Sequence, residues 1–160
     1  GADLAAMTKG GFAAISEAAV AALTSTQVSS LTTDEVKALT TGQAGAMWAQ
    51  QLQGITTSQT AALETADLSA LTTSAFATIA TGVIAGLSSV QFGALTTDQV
   101  KALTTAQAAQ LTSTQTVGLT STQAAVLEGA DLAKLSTTAL SSMTTPWATA
   151  ASMTFPRSTR

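Results

Sequence analysis

The sequence has no cysteine, no histidine and no tyrosine among its 160 residues. The first two absences exclude disulfide bonds, thiolate nucleophiles, imidazole bases and the commonest protein ligands of zinc. Charged residues make up only 9% of the chain, against roughly 25% in a typical globular protein, and the formal net charge is -3. Because so few cations form no basic stripe, we expect no binding to nucleic acid or to an anionic membrane.

Hydrophobic residues, in contrast, make up 46% of the chain, so the sequence predicts a surface of Thr, Ser, Gln and Ala. The uncharged stretch from Leu68 to Thr97 has the hydropathy of a membrane span. Ser and Thr recur too often in it for a span, and an internal repeat explains it better. We therefore expect no membrane insertion.

The repeat is an octad with the consensus Leu-Thr-Thr-x-Gln-Val-x-Ala. One large apolar residue occurs at every eighth position: Met7, Ile15, Leu23, Leu31, Leu39, Met47, Ile55, Leu63, Leu71, Ile79, Leu87, Leu95, Leu103, Leu111, Leu119, Leu127, Leu135 and Met143. A second, less regular apolar series follows it by five positions, and it includes Phe12, Val20, Val28, Val36, Leu52, Leu68, Phe76, Ile84, Phe92, Val100, Leu132 and Leu140. These two series predict the core.

Most octads also contain a capping box, in which Thr or Ser is followed three residues later by Gln or Glu. The nine boxes are Thr24/Gln27, Thr32/Glu35, Thr40/Gln43, Thr56/Gln59, Ser88/Gln91, Thr96/Gln99, Thr104/Gln107, Thr112/Gln115 and Thr120/Gln123. They predict one helix start in each octad. A row of Gln this regular could also be a ligand-binding ladder, but we favour the capping role.

A single continuous helix is excluded, because an octad exceeds two helical turns by about 80° and the Leu stripe would wind around the helix axis. Helices of about six residues are too short to be stable alone and must stack on neighbours. The predicted fold is therefore an all-α solenoid with one very short helix in each octad. A β-solenoid is the alternative, although apolar positions five apart would face opposite sides of a strand.

A longer, 64-residue period, equal to eight octads, lies above the first. The segment from Leu31 to Leu39 corresponds to the segment from Leu95 to Leu103, and about two and a half such blocks are present. The second apolar series changes in volume within a block, which predicts that the solenoid bends with this period. We expect the solenoid to span residues 1–150 and a non-repeat tail to span residues 151–160.

The segment from Ala94 to Gln107, with its Ala-Leu-Thr-Thr-x-Gln pattern, resembles the octad repeats of very large bacterial proteins of adhesin-like or surface-associated type. The similarity extends from about Ala2 to Ala150. It implies a bacterial protein that is extracellular or on the cell surface. It implies no catalytic or binding residue.

Candidate chemistry is scarce. Glu64/Asp67 and Glu128/Asp131 occupy capping-box positions and are interpreted as charges that complement helix dipoles. Calcium binding lacks the expected acidic loop or Gly-Asp-rich repeat. The hydroxyl groups lack an activating base. We therefore predict no catalytic residue, no cofactor, no metal site and no enzyme activity.

Lys37 and Lys101 are expected to be solvated on an outer face. Trp48 and Trp147 interrupt the capping series and are the candidate contact surface, although packing at a seam or an end would explain them equally well.

Three functions fit these features. The first is a structural protein, either an adhesin stalk or a self-assembling filament, whose ends stack on one another or continue into a longer array. The second is a binding module that holds a peptide or protein on the concave face of the solenoid. The third, which we rank last, is an ice-surface binder that uses the Thr arrays.

Overall fold

The computed structural model describes residues 9–127 and 129–143, and for residues 9, 129 and 130 only the backbone. This part of the chain contains seventeen short helices and no strand, so the predicted all-α solenoid of very short helices is confirmed over the β-solenoid. The helices are α1 (Lys9–Ala13), α2 (Glu17–Ala21), α3 (Ser25–Ser29), α4 (Thr33–Lys37), α5 (Thr41–Ala46), α6 (Ala49–Leu52), α7 (Thr57–Ala62), α8 (Thr65–Ala70), α9 (Thr73–Ala77), α10 (Thr81–Ile84), α11 (Ser89–Gly93), α12 (Thr97–Lys101), α13 (Thr105–Ala108), α14 (Ser113–Gly118), α15 (Ser121–Ala125), α16 (Gly129–Leu132) and α17 (Thr137–Ser142). Trp147 and the predicted tail lie outside the described residues.

Each helix has four to six residues, and the nine helices with a predicted capping box begin directly after its Thr or Ser. All nine predicted capping boxes are formed. In the box of α12, the Thr96 amide donates to Gln99 Oε1 at 2.9 Å, and the Gln99 amide donates to Thr96 Oγ1 at 3.1 Å. Two otherwise unpaired donors at the helix start are thereby satisfied.

Every third helix stacks on the same side of the solenoid, so one coil contains three octads. The stacked helices form three columns: α1, α4, α7, α10, α13 and α16; α2, α5, α8, α11, α14 and α17; and α3, α6, α9, α12 and α15. This coil of three octads was not predicted from the sequence. Each octad is one side of the coil, and the corners lie between consecutive helices.

Both apolar series line the interior as predicted, and nearly all of their described members are buried. Ile15, Leu119, Leu132 and Met143 are half-buried, and Leu140 is the one described member that is exposed, at 39%, although its neighbour Ala139 is buried. The reason is its position in α17, above which no further described helix stacks. The core depends on a covering coil, as in any solenoid.

The longer sequence period, of eight octads, does not equal a whole number of coils. Two coils take up six octads, and the remaining two octads carry the chain two sides further around the coil. Equivalent octads therefore lie in different columns: α4, with Lys37, is in the first, and α12, with Lys101, is in the third. The bend that the variation in core volume predicts stays a prediction.

Helices α11 and α14 approach each other closely enough for backbone contact. A Cβ atom on Gly93 would lie 2.5 Å from the carbonyl oxygen of Gly118, and one on Gly118 would overlap the carbonyl oxygen of Ser89. Real Cβ atoms do not come this close to a backbone oxygen. Glycine is required at these positions because of the close approach.

Candidate functional site

The most regular polar feature of the solenoid is a set of buried glutamines, one near the start of each of eight helices. Their side chains are at most 7% exposed, so the prediction that Gln contributes to the surface is wrong for these positions. We call them the glutamine links: Gln43, Gln51, Gln59, Gln91, Gln99, Gln107, Gln115 and Gln123. A buried amide is stable only when its donors and its acceptor are paired, so their hydrogen bonds determine their role.

Each link bonds in two directions. In the octad of Gln115, Oε1 accepts the Thr112 amide at 3.0 Å, which completes the capping box. Its Nε2 group donates to the carbonyl oxygens of Ile84 at 2.6 Å and Leu87 at 3.0 Å, in the preceding coil. One side chain therefore caps its own helix and ties that helix to the coil beneath.

All eight links follow the same rule. The side-chain Nε2 group of each donates to the carbonyl oxygen 28 residues earlier in the chain, at 2.6–3.0 Å. Because a coil is three octads long, that carbonyl belongs to the large apolar residue just before the capping residue of the helix directly beneath. Helix ends leave carbonyl groups without intrahelical partners, and the links supply partners at the corners of the coil.

The capping interpretation of the Gln row is therefore confirmed, but it is incomplete. The amide nitrogen, which a cap leaves free and a ligand ladder would need, is used within the protein by every link. The glutamine links are therefore internal structural contacts between coils.

Trp48, one of the two predicted contact residues, lies at the corner between α5 and α6, where other octads have the capping Thr. Its side chain is 50% exposed. Its indole Nε1 donates to the carbonyl oxygen of Ala21 at 3.0 Å, across one coil boundary. Trp48 thus packs along a seam with one edge and presents the rest of its ring to solvent, and its role as a contact residue stays a prediction. The other candidate, Trp147, lies outside the described residues.

Three described acidic residues occupy link positions, Glu35, Asp67 and Asp131, and the first two have an unpaired carboxylate oxygen. Glu35 is 2% exposed and caps α4 through Oε2, which accepts the Thr32 amide at 2.7 Å, while its Oε1 has no hydrogen-bond partner. Asp67 is 3% exposed, and its Oδ1 accepts the Thr41 hydroxyl at 3.1 Å from the coil beneath, while its Oδ2 has no partner.

Burial raises the pKa of Asp67 above its ordinary value of 3.8. The Thr41 hydroxyl opposes this shift, and the nearby Glu64 carboxylate adds to it. Asp67 lies in the first turn of α8, as the helix-dipole interpretation predicts, but it is buried between coils and is not a solvated charge. Asp131, its equivalent in α16, is also buried, and Glu128 lies outside the described residues.

Lys37 and Lys101 are exposed, as expected. Within residues 9–127 and 129–143, no three His, Cys, Asp or Glu side chains are grouped so that they could hold a metal ion. In the same part of the chain, no helix has the length and apolar character needed to cross a membrane.

Comparison with known proteins identifies the repeat. The model of the ALTTAQ repeat family matches residues 1–33, 60–97 and 76–105, which together cover just under half of the chain. These segments are similar to the ALTTAQ repeat, which confirms the octad pattern on which the resemblance was drawn. No curated protein and no solved structure matches the chain.

Proposed function

We propose that this array of ALTTAQ repeats is a structural rod, either a segment of an extracellular bacterial adhesin stalk or a subunit of a self-assembling filament. The observation that supports the proposal is the direction of the glutamine links. Every link donates toward an earlier coil, and every coil so linked accepts from a later one. Further coils can be added at either end of this series of links with the same hydrogen bonds.

Gln27 occupies the first Gln position of the ladder. Its Oε1 accepts the Thr24 amide at 2.8 Å, but the side chain is only half-buried. In the proposed rod, its Nε2 group donates to a corner carbonyl of the coil beneath α3, as the Nε2 groups of the links do. In the filament form of the proposal, a second copy supplies a corner carbonyl to this Nε2 group.

The proposed function includes no catalysis. The amides of the links are the most numerous buried polar side-chain groups of the described coils. They already have hydrogen-bond partners within the protein. Stacked helices lie about 8–10 Å apart, so the six helices of one column give a rod on the order of 45 Å long. Small-angle scattering of the whole chain should give an elongated particle, and a compact one would contradict both forms of the proposal.

Light scattering and electron microscopy over a concentration series separate the two forms. Rods of constant width that lengthen with concentration favour the filament, and single short rods at every concentration favour the stalk. Gln27→Glu tests the contact itself: Glu35 shows that Glu still caps a helix, but a carboxylate cannot donate to a carbonyl group. If filaments form through the ladder, Gln27→Glu shortens them, whereas Gln50→Glu, the same change at an exposed position, does not.

Trp48 favours a second candidate, a module that binds a peptide or protein. A half-exposed indole that is held by its own hydrogen bond is a typical contact residue at an interface. A partner bound there would change the fluorescence of Trp48 and would be lost in Trp48→Ala. Ice binding has less support, because the capping hydroxyls already accept backbone amides, as Thr96 does in α12.

A further inference from the structure

The glutamine links are missing from three consecutive octads. Where α8, α9 and α10 would have Gln, the chain has Asp67, Ala75 and Val83. Three octads are one complete coil. One whole coil boundary, between α5–α7 below and α8–α10 above, therefore has no glutamine link, whereas the boundaries on both sides of it are linked.

The missing donors leave a ring of carbonyl groups without partners from the protein. By the spacing that the links share, links at these positions would reach the carbonyl oxygens of Leu39, Met47 and Ile55, one at each corner of the coil. Within the described part of the chain, none of these three oxygens accepts a hydrogen bond. At each linked boundary, the equivalent oxygen accepts the Gln amide.

Apolar packing holds this boundary without the help of links. The residues that follow the three substituted positions are Leu68, Phe76 and Ile84, and all three are completely buried. Among the linked octads, those of Gln51 and Gln91 also have a large residue there, whereas three others have the smaller Ala108, Thr116 and Ala124. Apolar burial is non-directional, whereas a hydrogen bond fixes both distance and angle.

Two side-chain hydrogen bonds remain between the coils at this boundary. The Thr41 hydroxyl donates to Asp67 at 3.1 Å, and the Thr78 hydroxyl donates to the carbonyl oxygen of Ala49 at 2.8 Å. A link accepts an amide at the start of its own helix and also donates to a corner carbonyl of the coil beneath. Neither of these two hydrogen bonds belongs to a side chain that does both. The orientation of one coil on the other is thus fixed by fewer directional hydrogen bonds here than at the two adjacent boundaries, which have three links each.

We propose that the boundary between α5–α7 and α8–α10 is a hinge of the solenoid, at which the upper coils tilt on the lower ones. The same loss of Gln recurs eight octads later at Asp131, Ala139 and Trp147, so the longer sequence period is the spacing of hinges along the array. Asp131 and Ala139 are buried, as at the first hinge. The hinge is a property of the fold and goes beyond the proposed stalk or filament.

Distances between pairs of spin labels test the hinge, and the absence of native cysteine leaves only the introduced sites to react. The first pair, Thr26→Cys with Ser74→Cys, joins α3 to α9 across one linked boundary and the hinge. The control pair, Ser74→Cys with Thr122→Cys, joins α9 to α15 across two linked boundaries. Both pairs are two coils apart in one column, and all three residues are exposed and at the same place in their octads.

In the otherwise native chain, we expect a wider distance distribution for the first pair than for the control pair. Restoring the links with Asp67→Gln, Ala75→Gln and Val83→Gln should remove the excess width of the first pair and leave the control pair unchanged. The neighbours Gln91 and Phe92, both buried, show that a link and a large apolar residue fit in one octad.

Equal widths for the two pairs in the native chain would overturn the hinge. So would an excess width that persists in a triple variant whose circular dichroism is native. Should the triple variant not fold, the comparison of the two pairs in the native chain still decides the question.

Discussion

Replacement of Gln107 by Met tests the linking role of glutamine, because Met has nearly the same shape but neither donor nor acceptor strength. Gln107 is 1% exposed. Its Oε1 accepts the Thr104 amide at 2.8 Å, and its Nε2 group donates to the carbonyl oxygens of Ile79 at 2.7 Å and Ala77 at 3.2 Å. The substitution removes all three hydrogen bonds and leaves one amide and two carbonyl groups to find other partners.

The size of the loss in the free energy of unfolding distinguishes a cap from a link. Loss of a helix cap costs on the order of 1 kcal/mol. Loss of three hydrogen bonds at about 1 kcal/mol each costs roughly 3 kcal/mol, and more if the unpaired groups stay dry. The free energy of unfolding of Gln107→Met should therefore be about 3 kcal/mol lower than that of the native chain.

Gln110→Met is the matched control, because it makes the same change three positions later at an exposed side chain. Urea titrations followed by circular dichroism measure both variants against the native chain. We expect the midpoint of Gln107→Met to fall clearly and that of Gln110→Met to stay close to the native value. A loss of only about 1 kcal/mol for Gln107→Met would mean that the side chain acts as a cap alone.

Two further tests concern the close approach of α11 to α14 and the buried carboxyl group of Asp67. Gly118→Ala should lower the melting temperature, because its Cβ would overlap the Ser89 carbonyl oxygen, whereas Gly82→Ala, with open space around it, should stabilise α10 by up to about 1 kcal/mol; equal melting temperatures would refute the close approach. Asp67 has a raised pKa when folded, so its contribution to stability is fully present below 3.8 and is lost as the pH rises through the folded value. Asp67→Asn should therefore melt higher than the native chain at neutral pH, and this difference should shrink in acid; a difference independent of pH would contradict the assignment.

The elements that follow from local chemistry were predicted from the sequence. The capping boxes set the helix starts, because Thr24 with Gln27 and its eight counterparts satisfy donors within one octad. The two apolar series identified the core, because a buried stripe needs only the octad period. Leu140 departs from it only because no described coil covers α17.

The number of octads in a coil could not be predicted, because the octads resemble one another and any of them could stack on any other. The linking role of Gln was missed for the same reason, since its carbonyl partners are named only once the coil is known. One signal was available: Glu caps a helix as well as Gln and suits the helix dipole better, yet Glu35 is the one Glu in the nine boxes. The preference for Gln indicates a need for the amide donor.

The hinge was also partly visible in the sequence. The variation in core volume within a block has large residues at Leu68, Phe76, Ile84 and Phe92, and the first three of these belong to octads without Gln. Their coincidence with the three octads that lack Gln acquires meaning only when three octads are seen to complete one coil.

Nuclear magnetic resonance of the side-chain amides tests the central claim, that glutamine ties each coil to the one beneath. The Nε2 protons of Gln107 should exchange with solvent far more slowly than those of the exposed Gln110, and they should show a scalar coupling across the hydrogen bond to the carbonyl carbon of Ile79. Equally fast exchange for the two side chains, with no such coupling, would contradict the claim.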